Sequence, residues 1–111
     1  MRVVVVSLLL VAALPAAQAS RTFTGVITDD VCAREGHAGM RMGPTDAECT
    51  RLCVTVHDGK YVLADGKDVY ALSDQQAPEK FAAKKVRVVG RLLAESRIIQ
   101  VESITAAEAG D

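Results

Sequence analysis

"KYVLADGKDVYALS" (residues 60–73) anchors the fold, because it carries the sharpest turn signal in the chain. Two short runs rich in β-branched and aromatic residues, Lys60–Ala64 and Asp68–Leu72, flank Asp65-Gly66. Asp-Gly between such runs favours a tight hairpin, since glycine supplies the positive φ that the turn needs. Downstream, "DQQAPEKFAA" (74–83) sets Pro78 early in a short helix or turn and offers Phe81 as its core anchor. "KKVRVVGRLLAESRIIQVESI" (84–104) predicts two further strands turning at Ala94-Glu95-Ser96. Val86 and Val88 face inward against Lys85 and Arg87. On the return, either Ile99 and Val101 or Ile98 and Ile104 face inward.

Upstream, "RTFTGVIT" (21–28) alternates Phe23, Gly25 and Ile27 against Thr22, Thr24 and Val26, the pattern of a half-buried strand. Gly25 within it predicts a bulge or a sharp bend. Asp29-Asp30 ends this strand and opens "CAREGHAGMRMGPTDAECTRLC" (32–53). That loop holds all three cysteines, one of the two histidines (His37) and two of the three methionines, Met40 and Met42. Thr45 and Glu48 form a capping box behind Pro44, which predicts a short helix from Asp46 to Cys53. The β-branched run Val54-Thr55-Val56 favours extended chain. Gly59 marks either a helix end or, with Asp58, a hairpin turn.

The order is then strand, cysteine loop with a short helix, strand, strand, short helix, strand, strand. Five strands with a helix between the third and fourth is the connectivity of an OB-fold-like five-stranded Greek-key barrel, all-β with a small α content. Gly25 and Gly90 suit the bends that long strands need in a small barrel. An open α+β sheet is the alternative.

The first nineteen residues have the layout of a cleavable secretory signal peptide. Arg2 is a short positive n-region, Val3 to Leu14 an apolar h-region, and Ala17-Gln18-Ala19 a small-x-small cleavage site. The apolar run is short for a spanning helix and no basic stop-transfer cluster follows it, so no membrane anchor is expected after cleavage. Cleavage after Ala19 leaves 92 of the 111 residues, with a domain over 20–105 and a disordered tail over 106–111. The expected location is periplasmic or secreted. The remainder carries 12 basic and 14 acidic residues, a balance that calls for neither nucleic acid nor an anionic membrane as partner. Its aromatics are Phe23, Tyr61, Tyr70 and Phe81 with no tryptophan, too few for a base- or sugar-stacking platform.

"TFTGVITDDVC", "ECTRLCV", "KYVLADG", "VYALSDQ" and "FAAKKVRVVGRLL" together resemble a family of small exported bacterial OB-fold domains of uncharacterised function. The resemblance spans the mature chain and implies a Cys-His-Cys-Cys pattern between the first two strands, here Cys32, His37, Cys49 and Cys53. It implies fold and export, and brings no reaction or ligand. The second half is more loosely similar to periplasmic bacterial OB-fold proteins linked to stress responses. Those lack the cysteine loop, so their roles do not carry over.

The loop reads C-x4-H-x11-C-x3-C. Cys49 and Cys53, four apart on the predicted helix, project from one face on successive turns. Cys32 and His37 lie on a glycine-bearing flap that folds over that face. Three thiolates and an imidazole suit Zn²⁺, and Met40 and Met42 as auxiliary soft donors suit Cu⁺. The competing arrangement is one disulfide plus one free thiol. Cys32 bonded to either helix cysteine would close about twenty residues and contribute roughly 3 kcal/mol, whereas a Cys49–Cys53 bond would strain a helical turn. The chain lacks C-x-x-C, C-x-x-C-H, a nucleophile elbow, a phosphate loop and HExxH, so no catalytic residue is assigned.

His57 and the Asp29-Asp30 pair read as a solvated loop residue and a turn cap. Lys84, Lys85, Arg87, Arg91 and Arg97 read as a solvated strand edge. The function expected is a non-enzymatic exported binding module with a Zn or Cu site. The alternatives are a disulfide-stapled module for a peptide, glycan or protein partner, and a periplasmic thiol redox protein.

Overall fold

β1 (Arg21–Asp29) buries Phe23, Gly25 and Ile27 and turns Val26 outward, the alternation its sequence dictates. This is a computed structural model that describes residues 1–9 and 18–107. Residues 10–17 of the expected signal peptide and 108–111 of the expected tail lie outside the described residues. The first half of β1 pairs antiparallel with β4 (Lys85–Leu93) and its second half with β2 (Tyr61–Ala64). Val26 is shared, opposite Lys85 on one side and Ala64 on the other.

Gly25 sits just before this handover. A Cβ there would lie 2.5 Å from the Ala64 carbonyl oxygen. The expected bulge is absent from β1, whose pairing runs without a register shift, and glycine is needed for the close approach of β2 instead.

β2 pairs antiparallel with β3 (Val69–Leu72). Their connection is longer than a two-residue turn. The Asp65 amide donates to the Asp68 carbonyl, and the Asp65 carboxylate accepts from the amides of Lys67 and Asp68. β3 then lies parallel to β5 (Ile98–Ala106), through Ala71 opposite Ile98 and Leu72 opposite Ile99. β5 pairs antiparallel with β4, so the five strands hydrogen-bond in the closed order β1-β2-β3-β5-β4. Ala106, the first residue of the expected tail, ends β5 opposite Val86.

The β4–β5 ladder resolves which residues face inward on the return. Val89 pairs with Ser103 and Gly90 with Val101, so Glu102 is an extra residue on β5. The bulge shifts the inward phase from odd positions, Ile99 and Val101, to the even position Ile104. Ile99 and Val101 thus face inward before the bulge and Ile104 after it, while Ile98, expected inward together with Ile104, is half-buried and outside the core.

Between β3 and β4, a 3₁₀ helix (Ala77–Phe81) starts with the buried Pro78 and packs Phe81 on the core. The Ala83 amide donates to the Ile27 carbonyl at 2.8 Å, and the Ile27 amide to the Lys84 carbonyl at 3.1 Å, which fastens this segment along β1. The core inside the sheet is built on Phe23, Ile27, Leu63, Tyr70, Leu72, Val86, Val88 and Ile99.

The long β1–β2 connection carries two helices, α1 (Asp30–Glu35) and α2 (Asp46–Val56). α2 begins as expected, with the Thr45 hydroxyl accepting the Glu48 amide at 3.2 Å. It runs three residues past Cys53, because Val54 packs on the sheet core and Thr55 Oγ1 bonds back to the Arg51 carbonyl. Packing on one face overrides the extended preference of Val54-Thr55-Val56. Gly59 lies just beyond the helix and donates to the Cys53 carbonyl at 3.0 Å.

Gly90 at the bulge is the sharpest test of this architecture. A Cβ there would collide with the Gln100 carbonyl oxygen and come 2.8 Å from Ile99 Cγ2. Gly90→Ala is expected to lower unfolding free energy by about 1–3 kcal/mol in urea titrations. A change below about 0.5 kcal/mol, the range of ordinary surface substitutions, would contradict the register across β4 and β5.

Candidate metal centre

Asp29 ties the cysteine loop to the sheet. It is the last residue of β1 and the N-cap of α1, its Oδ2 accepting the amides of Val31 and Cys32 at 3.1 and 3.0 Å. The cap starts a helix where a flexible flap was expected, and it fixes Cys32 three residues on, 5% exposed. α2 supplies the other two thiols. Cys49 and Cys53 stand on successive turns and are fully buried, while the adjoining positions Thr50 and Val54 are buried and half-buried.

The chain between the helices closes over these sulfurs. The Gly36 amide donates to the Cys32 carbonyl at 2.7 Å and ends α1 with φ at +74°. Further on, the Met42 amide donates to Cys49 Sγ at 3.3 Å, and that thiol donates to the Met40 carbonyl at 3.0 Å. The flap backbone therefore holds Cys49 from both directions. Outside, Arg41 pairs with Asp46 at 3.0 Å. Met40 and Met42 pack against the three cysteines and form a small sulfur core apart from the main one.

The sulfurs form a chain of close neighbours. Cys32 Sγ lies 3.6 Å from Cys49 Sγ and 3.9 Å from Cys53 Sγ, and the Cys53 thiol donates to Met42 Sδ at 3.8 Å. All three cysteines are free thiols. The disulfide expected as the alternative is not formed, since bonded sulfurs sit about 2.05 Å apart. Thiolates bound to one tetrahedral Zn²⁺ at about 2.3 Å would stand about 3.8 Å apart, and the two Sγ–Sγ separations bracket that edge.

His37 joins Cys32 and Cys49, with donor atoms mutually within 4.8 Å. A second group within the same limit is Asp29, Cys32 and Cys53. The expected donors Cys32, His37, Cys49 and Cys53 therefore fall into two groups that share Cys32, with Asp29 completing the second, and His37 and Cys53 are not in the same group. Met42 reaches the cluster with its sulfur, while Met40 contributes packing and its carbonyl oxygen. Two polar atoms in these groups are buried with no hydrogen-bond partner, His37 Nδ1 and Asp29 Oδ1. Buried polar atoms are seldom left unpaired, and both point to the chemistry of ligands.

Asp29 is the donor that sequence reasoning missed. The available signal was D-x-x-C at a strand end, which as an N-cap and third helical residue brings carboxylate and thiol together. Asp29 itself has the capping role read for the pair, ending β1 and capping α1, while Asp30 accepts the Lys60 amide at 3.0 Å from across the connection. His57 is exposed at the end of α2. On the basic edge, Arg91 pairs with Glu102 at 3.6 Å and Arg97 with Asp68 at 3.0 Å, in keeping with a solvated, internally compensated edge.

Burial pushes the Cys32 thiol well above the ordinary value near 9, and the Asp29 carboxylate beside it adds to the shift. Cys53 is raised by burial first and by the Asp29 charge second. Without metal, both are neutral thiols at pH 7. The folded state therefore keeps protons that the unfolded chain gives up above about pH 8.5. Reduced, chelator-treated protein is expected to hold its melting temperature up to about pH 8 and lose stability as pH rises beyond it. A flat profile to pH 10 would mean that these thiols are not shielded as described. No protein-family model, curated protein or solved structure matches the chain.

Proposed function

We propose that this chain is an exported, non-enzymatic binding module on an OB-type Greek-key barrel, and that its Cys/His loop is a metal centre for Zn²⁺ or Cu⁺. The barrel assignment is supported by the closed strand order, the parallel β3–β5 pairing and the helix between β3 and β4. Export is supported by the n-region, h-region and cleavage pattern over residues 1–19. Among the described residues no helix is long and apolar enough to cross a membrane.

The observation that carries the metal reading is the spacing of the buried thiols, 3.6 and 3.9 Å around Cys32, with His37 Nδ1 unpartnered beside them. Cys32, His37, Cys49 and Cys53 would hold the ion, with Met42 as an auxiliary soft donor. The ion would supply positive charge to a pocket of acidic donors and fasten both helices of the connection to the sheet. Its uptake would expel thiol protons, so affinity would rise with pH.

Elemental analysis of protein purified without added metal, combined with thiol counting by alkylation, tests this reading. Bound Zn or Cu is expected, with three alkylatable cysteines after its removal. A disulfide with a single alkylatable thiol would sink it. His37→Ala is expected to weaken metal binding at least tenfold, with His57→Ala unchanged. At free metal about a hundred times Kd, the ion would add about 2.7 kcal/mol to stability. Export predicts a mature N-terminus at Ser20; retention of Met1 in the secreted fraction would contradict it.

A further inference from the structure

The two donor groups meet at a single atom. Cys32 Sγ belongs to both, His37 and Cys49 lie in one group, and Asp29 and Cys53 lie in the other. A single ion held by Cys32, His37 and Cys49 leaves the second group unfilled, with Asp29 Oδ1 buried and without a hydrogen-bond partner while Oδ2 caps α1. Asp29 is 0% exposed, and its Oδ2 is already committed to the amides of Val31 and Cys32. An unpaired carboxylate oxygen in a water-excluded pocket is costly unless a cation reaches it.

We propose that the pocket is a two-ion centre in which the Cys32 thiolate bridges two divalent ions of the Zn²⁺ class. One ion is held with His37 and Cys49, the other with Asp29 and Cys53 beside the Met42 sulfur. This rests on the reading of the loop as a metal centre, and it adds Asp29 as a ligand and a second ion. Charge selects the divalent class. Three thiolates and one carboxylate are balanced by two divalent ions with a neutral imidazole, whereas two Cu⁺ ions would leave two negative charges buried. Geometry allows the bridge, since both the Cys32–Cys49 and Cys32–Cys53 separations match a tetrahedral S···S edge. Three thiol protons leave as the centre fills.

Zn²⁺ titration of the reduced, metal-free full chain, followed by native mass spectrometry, tests the proposal. Two ions per chain are expected. Asp29→Asn keeps the helix cap, because asparagine caps as well as aspartate, and is expected to bind one ion. His37→Ala is likewise expected to bind one, and Cys32→Ser to lose both high-affinity ions. A wild-type chain that saturates at one ion overturns the bridged centre and leaves the single-ion metal reading intact. Two ions retained by Asp29→Asn would overturn the assignment of Asp29. No ion bound at all would overturn the metal reading itself. Cadmium NMR of the wild-type chain gives a check that needs no variant: two coupled resonances are expected, and a single resonance at saturation contradicts the bridge.

Discussion

The Asp29 carboxylate holds the remainder of the site in place, because three parts of the molecule converge on it. Its backbone closes the β1–β2 ladder opposite Tyr61, its Oδ2 starts α1, its Oδ1 is buried without a partner, and its carboxylate groups with the thiols of Cys32 and Cys53. A strand end that is also a helix cap permits almost no freedom between sheet and site. Cys32 therefore inherits its position from the sheet and not from the loop. An N-cap is usually an exposed convenience worth about 1 kcal/mol. Here it is wholly buried, so the same residue fixes geometry and loads the pocket with negative charge.

Two cores share one helix. The sheet encloses an aliphatic and aromatic core, and the cysteines with Met40 and Met42 form a smaller sulfur core beside it. α2 serves both, with Cys49 and Cys53 in the sulfur cluster and Val54 on the sheet core. Movement in the flap is thereby linked to the sheet through a single rigid element. The flap is held by Met40 and Met42 packing on the cysteines, by its own backbone hydrogen bonds to Cys49 and Gly36, and by one exposed ion pair. An exposed pair of that kind contributes little. Whatever occupies the sulfur pocket therefore has a large say in how firmly the flap is closed.

The electrostatics of the pocket run in one direction. Burial and the neighbouring carboxylate both favour protonated Cys32 and Cys53. Buried, protonated thiols of this kind are poor nucleophiles. A bound cation would reverse the balance, since it would replace thiol protons and offer a partner to the unpaired oxygen and nitrogen.

Much of this was legible from local chemistry. Thr45 and Glu48 announced α2, Asp65-Gly66 announced the β2–β3 hairpin, and valine alternation announced β4. Each signal depends only on residues a few positions apart. The C-x4-H-x11-C-x3-C spacing placed Cys49 and Cys53 on one helix face, where both are buried beside Cys32. Three features were decided by tertiary structure. Val54-Thr55-Val56 became helical because Val54 found the sheet core. The inward phase of β5 switched because Glu102 was extruded opposite Gly90. Asp29 became a candidate ligand because capping α1 buried its carboxylate beside Cys32 and Cys53. The sequence by itself determined that the thiols, His37 and two methionines share one connection and that Cys49 and Cys53 sit on one helix face, since propensity and capping act over one or two turns. Only tertiary structure decided that the donors divide into two groups around Cys32, because that division depends on where a strand end and a helix face meet in space.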